Sequence, residues 1–92
     1  MCYALLVKPL EKKFKAFANV SRLKILGYLK KHKAASVTEI CHSTKCSYKA
    51  TSKHLAILYH VDVVEREQVG FEMHYRISDK LDAATLTLLK LI

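Results

Sequence analysis

Residues 36–60 read SVTEICHSTKCSYKATSKHLAILYH, and this stretch decides the fold. Ser36-Val37-Thr38-Glu39 is a capping box, in which a hydroxyl and a carboxylate reciprocally satisfy free N–H groups at a helix start. It opens a short helix predicted to reach about Ser43. Thr44, Lys45 and Cys46 make a turn, and Ser47 caps a second helix running to about His60. Two helices joined by three or four residues, the first short and the second basic, describe a helix-turn-helix over about 37–60. Stepping 100° per residue around the second helix puts Thr51, Leu55 and Leu58 together as its core face. Lys49, Lys53, Ala56 and His60 fall on the opposite side, with Tyr48 and Ser52 on its flank. Cations, hydroxyls, a phenol and a methyl near a helix start suit phosphates and base edges in a DNA major groove. On an isolated helix the same lysines would be an ordinary solvated face. The capped helix and turn before them give the pattern its meaning.

Working outward, Val63 to Glu67 and Met73 to Ile77 alternate in polarity around Gln68-Val69-Gly70-Phe71, which predicts a β-hairpin over about 63–77. Ser78 is expected to cap a last helix over about 79–91. On it Leu81, Ala84, Thr85, Leu88 and Ile92 form one apolar stripe, widened by Leu86 and Leu89. Upstream, Pro9 suits the first turn of a helix over about 9–18. Its stripe is Leu10, Phe14, Phe17 and Ala18. Asn19 reads as the cap of a helix from Val20 to about His32, with Leu23, Ile25, Leu26 and Leu29 inward. Lys30, Lys31 and Lys33 close that helix, where cations offset the dipole. The apolar first and last helices predict a homodimer interface through Leu10, Phe14, Phe17, Leu81, Ala84, Thr85, Leu88 and Ile92.

Composition narrows the function. The 92 residues include sixteen Lys and Arg against eight Asp and Glu, a net charge of +8. Residues 1–60 carry twelve of the cations against only Glu11 and Glu39, a net of +10, whereas 61–92 carry −2. That asymmetry points to a polyanionic partner for the first two thirds. Two Gly and one Pro exclude a P-loop, a dinucleotide fingerprint and a repeat array. The apolar run at Tyr3 to Val7 is too short for a membrane span or a signal peptide. Three cysteines are too few for a disulfide framework and fit a reducing compartment. No nucleophile motif and no facing carboxylate pair suggests an enzyme. The expectation is a single cytoplasmic winged helix-turn-helix domain over 1–92, mainly α with a small β-hairpin, with double-stranded DNA as partner and no membrane contact.

The residues also resemble a known family, the ArsR/SmtB winged-helix repressors. Ala16-Phe17-Ala18-Asn19-Val20-Ser21-Arg22-Leu23-Lys24-Ile25-Leu26 is similar to the family's A-L-A-[DN]-P-[ST]-R-x-x-I-L stretch, with Val20 at the usual Pro. Ser47 through Leu58 resembles its S-x-x-x-x-S-x-H-L-x-x-L recognition helix, and Gly70 through Ile77 resembles its wing. Asp62 stands where the family usually has Gly, and Asp tolerates positive φ better than most residues. The resemblance covers about Leu10 to Ile77. It implies a homodimeric repressor on an inverted-repeat operator, with DNA contacts from Ser47, Tyr48, Lys49, Thr51, Ser52 and Lys53, joined by Arg66 and Arg76 of the wing. Thr51 conflicts with the angular reading, which turns it toward the core. His54 is expected to be a hydrogen-bonding structural histidine.

Departures from the family pattern bear on the inducer and the wing. Ser36 and Thr38 occupy the positions of the metal-sensing thiols, and no His follows His74 to join Asp79 and Asp82 on the last helix. Both familiar metal sites are thus absent, and no cofactor is expected. Cys41, His42 and Cys46 flank the corner of the helix-turn-helix in a spacing that matches no zinc pattern. Packing thiols are the expected reading; a thiol- or metal-responsive repressor using Cys41 and Cys46 is the alternative. A second alternative is a protein-docking module without an operator, which the acidic 61–92 segment slightly favours and the lysines of the second helix of the helix-turn-helix oppose. In the wing, Glu65, Glu67 and Glu72 outnumber Arg66 and Arg76, so the wing is expected to add little affinity.

Overall fold

The computed structural model describes residues 2–92, with side chains from Val7 onward. Helix α1 (Cys2–Phe17) is followed by α2 (Val20–Lys31), β1 (Ala35–Ser36), α3 (Val37–Thr44), α4 (Tyr48–His60), β2 (Val64–Val69), β3 (Glu72–Ile77) and α5 (Ala83–Lys90). The three strands form an antiparallel sheet in the order β1-β3-β2. This is the winged helix-turn-helix expected from the sequence, with one strand more. β1 pairs Ala35 with Tyr75 and Ser36 with His74. A two-residue strand leaves no alternation to read, and Ser36 serves it while also capping α3.

Local chemistry sets the helix starts. Asn19 accepts from the Arg22 N–H, Ser36 from that of Glu39, Ser47 from that of Ala50, and Asp82 from that of Thr85. At α3 the box is complete, because the Glu39 carboxylate also accepts from the Ser36 N–H at 2.8 Å. These backbone and hydroxyl donors favour the ionised carboxylate and lower the Glu39 pKa. The turn between α3 and α4 places Lys45 at φ 58°, a left-handed residue of the kind that often ends a helix. Asp62 adopts φ 61°, as its chemistry allows. Val69 pairs with Glu72, so the hairpin turn is only Gly70 and Phe71. Gly70 takes φ 64°, the positive value that a primed two-residue turn requires at its first position. Gln68 and Val69, expected in the loop, thus remain in β2.

One core joins the elements. Ile25, Leu26 and Leu29 of α2, Ile40 of α3, Leu55 and Leu58 of α4, Val63 and Val64, and Tyr75 of β3 are buried together. Leu23, expected inward, is instead exposed. The helical stripe through Ile25, Leu26 and Leu29 already fills that side, and Leu23 lies off it.

Both terminal helices differ from expectation. α1 begins seven residues before Pro9, which sits inside it. An interior proline removes one i→i−4 hydrogen bond, yet the helix continues through it. α5 begins at Ala83 rather than Asp79, capped by Asp82. Ser78 is drawn elsewhere: its hydroxyl donates to Glu65 at 2.9 Å and accepts from the Lys80 N–H at 3.1 Å. Lys13 of α1 donates to the Asp82 carboxylate, tying the two helices at that cap. The cation and the Thr85 N–H hold this carboxyl well below the ordinary aspartate range.

The expected dimer residues divide accordingly. Phe17 and Thr85 are buried in the chain's own core and have no surface to offer a second copy. Leu81, Ala84 and Leu88 are partly buried. Ile92 lies beside Gly27, where an added Cβ would come within 3.3 Å of its Cγ2, yet Ile92 remains exposed. Leu10 and Phe14 remain exposed with Val7, at 37%, 47% and 48%, lining one shallow apolar groove with Ala18.

Candidate nucleic-acid interface

α4 carries the interface. Thr51, Leu55 and Leu58 anchor it in the core, and this fixes which side faces solvent. Ser47, Tyr48, Lys49, Lys53 and His60 are exposed, and Ser52 and Ala56 are partly so. The structure thereby brings Ser47, Tyr48, Lys49, Ser52 and Lys53 together at and after the N-terminus of α4. Among the described residues neither lysine is ion-paired. Their charge is available to a polyanion.

Thr51 is corrected. Its side chain is completely buried, so it cannot reach a phosphate or a base edge from this helix. Its Oγ1 also finds no hydrogen-bond partner among the described residues. A buried, unsatisfied hydroxyl is a cost, so Thr51→Val, which keeps the shape, should leave stability unchanged or raise it by up to about 1 kcal/mol. DNA affinity should not move. Thermal unfolding and a binding titration of the variant check both; a tenfold loss of affinity would restore Thr51 as a contact.

His54 is the structural histidine expected of it. Arg22 Nη1 lies 3.2 Å from its Nδ1. A guanidinium can only donate, so Nδ1 accepts and the ring proton sits on Nε2. Arg22 also donates from Nε to the Ala16 carbonyl at 2.7 Å and from Nη2 to that of Lys15 at 3.3 Å. It thus closes the end of α1 and braces α4 at once. The sequence reading assigned Arg22 no such role, and its only local signal is its place three residues after the Asn19 cap. Burial, then the Arg22 and Lys53 charges, lower the His54 pKa from its ordinary 6.5. The folded state therefore binds fewer protons at His54 than the unfolded chain. Stability from this group is fully present above about pH 6.5 and falls as acidification protonates the unfolded histidine. Melting temperature should rise from pH 5 to pH 7, and His54→Gln should flatten that rise. An unchanged profile in the variant would contradict the assignment.

The wing is less available. Arg76 Nη2 donates to Glu65 Oε1 at 2.7 Å. Arg66 lies over the Tyr59 ring of α4, 3.9 Å from its centroid, a cation–π contact. Both wing arginines thus spend their charge within the chain. Phe71 at the tip is fully exposed.

No metal centre forms from the described residues: no three His, Cys, Asp or Glu side chains converge. The donors at the familiar family positions do not fit a metal either. Ser36 caps α3, and Asp82 is held by Lys13 and the start of α5. Cys41, His42 and Cys46 share one shallow depression with Thr38 and Tyr48. The Cys46 thiol donates to the Ser21 hydroxyl at 3.8 Å and to the Thr44 carbonyl at 3.7 Å. Cys41 packs against the core. The Cys2 side chain lies outside the described residues.

Comparison with known proteins agrees with this geometry. Residues 19–66, from the cap of α2 into β2, match the family model described as bacterial regulatory protein, arsR family. The chain belongs to the ArsR family. This ArsR-family chain is 37% identical over 65 residues to the transcriptional repressor PagR of Bacillus anthracis, an alignment spanning 71% of the chain and 65% of PagR. It thus spans just under two thirds of that relative. The crystal structure of PagR superposes with a TM-score of 0.71 at 33% identity, over 89% of this chain and 93% of that one. The homodimeric winged helix-turn-helix DNA-binding domain Mb0332 of Mycobacterium bovis gives 0.83 at 28% identity, over 98% and 80%. HlyU of Vibrio cholerae gives 0.77 at 28% identity, over 90% and 86%. The ArsR match ends inside the wing, so it covers all of α4 and leaves out α1 and α5.

Proposed function

We propose that this chain is a cytoplasmic, dimeric transcriptional repressor that reads an inverted-repeat operator with α4. The observation that carries the proposal is the solvent side of α4. Among the described residues Lys49 and Lys53 have no ion-pair partner there, and they stand with the hydroxyls of Ser47 and Ser52 and the Tyr48 phenol on a helix clamped by its buried opposite side. Unpaired lysines supply the salt-dependent phosphate contacts, and short polar side chains at a helix start read base edges. Membership in the ArsR family and likeness to PagR, named a transcriptional repressor, support the regulatory reading.

The dimer rests on the α1 stripe of Val7, Leu10 and Phe14, three apolar residues exposed on one side of a helix. A second copy would cover it, and Mb0332, described as homodimeric, supports that arrangement. Two α4 helices would then meet half-sites about one DNA turn apart, roughly 10 bp. No helix among the described residues is long and apolar enough to cross a membrane.

Selection of bound duplexes from a random DNA pool, with reduced, metal-free protein at near-physiological salt, tests the proposal. Enrichment of an inverted repeat supports it. Retention without enrichment, or no retention, overturns it in favour of a winged-helix module that docks proteins.

A further inference from the structure

A concavity lies between α2 and the turn that joins α3 to α4. It has a volume of about 870 Å³, and Lys24, Lys31 and Lys45 line it together with Gly27, Tyr28 and Ile92. No aspartate or glutamate lines it among the described residues. Lys24, Gly27, Tyr28 and Lys31 fall at i, i+3, i+4 and i+7, one side of α2, with the two cations about 10 Å apart along the axis. A fourth lysine, Lys30, is already engaged, donating to the Leu89 carbonyl at 2.7 Å and to the main-chain oxygen of Ile92 at 3.2 Å. It locks the end of α5 as one wall.

Lys31 and Lys45 stand at the C-terminal ends of α2 and α3, where a cation offsets exposed carbonyls. That accounts for each alone. It does not account for Lys24, inside α2, converging with them on the same hollow, nor for Lys45 holding φ 58° where glycine would cost less. From this convergence we infer that the groove is a binding site for a soluble phosphate ester of about nucleotide size.

Three features select that class. Ammonium groups act as compact point charges suited to phosphate oxygens, and three of them line the groove. The volume falls within the range of small-molecule pockets, about 300–1,000 Å³, well above what inorganic phosphate needs. Tyr28 adds an aromatic ring, held against the His32 imidazole with centroids 4.2 Å apart, on which a planar base can rest. Binding here requires no DNA, so the inference stands or falls apart from the proposed operator.

The test is a titration of the ¹⁵N-labelled chain with ADP, with adenosine as the control lacking phosphate. Saturable amide shifts at Lys24, Tyr28, Lys31 and Lys45 with ADP, absent with adenosine, are expected. The double variant Lys24→Gln with Lys31→Gln keeps good helix formers and should bind about tenfold more weakly. Lys12→Gln with Lys15→Gln removes the same charge from α1 and should bind as the parent does. Equal weakening by both pairs, shifts confined to Lys49 and Lys53, or no saturable shift at millimolar ADP would each overturn the inference. So would shifts in the groove with a DNA duplex but none with ADP, which would assign its phosphates to the DNA backbone.

Discussion

Phe14→Glu should convert the proposed dimer to monomers and with it remove tight binding to the proposed operator. Phe14 is 47% exposed on an α1 stripe whose neighbours Leu10 and Val7 are also uncovered. Truncating an aromatic anchor at the centre of an interface costs about 2–4 kcal/mol. A carboxylate placed there adds the penalty of desolvating a charge. The dimer dissociation constant should therefore rise by roughly 100-fold or more. A monomer holds one half-site only, and losing the second tethered contact should lower operator affinity by a further factor on the order of 10²–10⁴. The domain itself should stay folded, because Phe14 contributes no fully buried surface to the core. Sedimentation of the variant reads the first effect, and a duplex titration reads the second. A variant that remains dimeric would place the interface elsewhere, with α5 as the next element to probe.

Lys53→Ala and Lys49→Ala carry the second large effect. Each removes an unpaired cation from the exposed side of α4, and in a dimer each counts twice. At about 1 kcal/mol per contact, the doubled loss is roughly 30-fold in affinity. A phosphate contact also leaves a signature in salt. Removing one from each half should flatten the slope of log K against log salt by about 2. Arg66→Ala and Arg76→Ala should cost far less, about threefold, because these cations already face Tyr59 and Glu65 within the chain. Loss of binding in the arginine variants with the lysine variants unaffected would reverse this account and make the wing the reader.

The helix-turn-helix was legible because its signals are local. The Ser36–Glu39 box and the Ser47 cap each act within three residues, so periodicity and capping together placed α3 and α4 almost to the residue. The sides of α4 followed from the same helical geometry, down to the burial of Thr51, which angle predicted and family resemblance opposed. What escaped depends on contacts between distant parts of the chain. Ser78 is the cap expected from sequence, and Asp82 is the cap the structure uses. Only Glu65, reaching Ser78 from β2, and Lys13, reaching Asp82 from α1, decide between them. β1 exists only because β3 comes alongside it. Likewise an apolar stripe does not say which member meets its own core and which meets another copy. Phe17 and Thr85 proved to be the former, whereas Leu10, Phe14 and Ile92 stay exposed. Arg22 bridges 32 positions to His54, a contact that no local pattern encodes.

The central claim is that two copies of α4, held at fixed spacing by α1, read one inverted repeat. Its most direct test is a stoichiometric titration of the selected duplex alongside the same duplex with about 5 bp inserted between the half-sites, half a turn of B-DNA. The account predicts two chains per duplex on the intact site, and a collapse to single half-site affinity on the lengthened one. Equal affinity for both duplexes, or saturation at one chain per duplex, would contradict it.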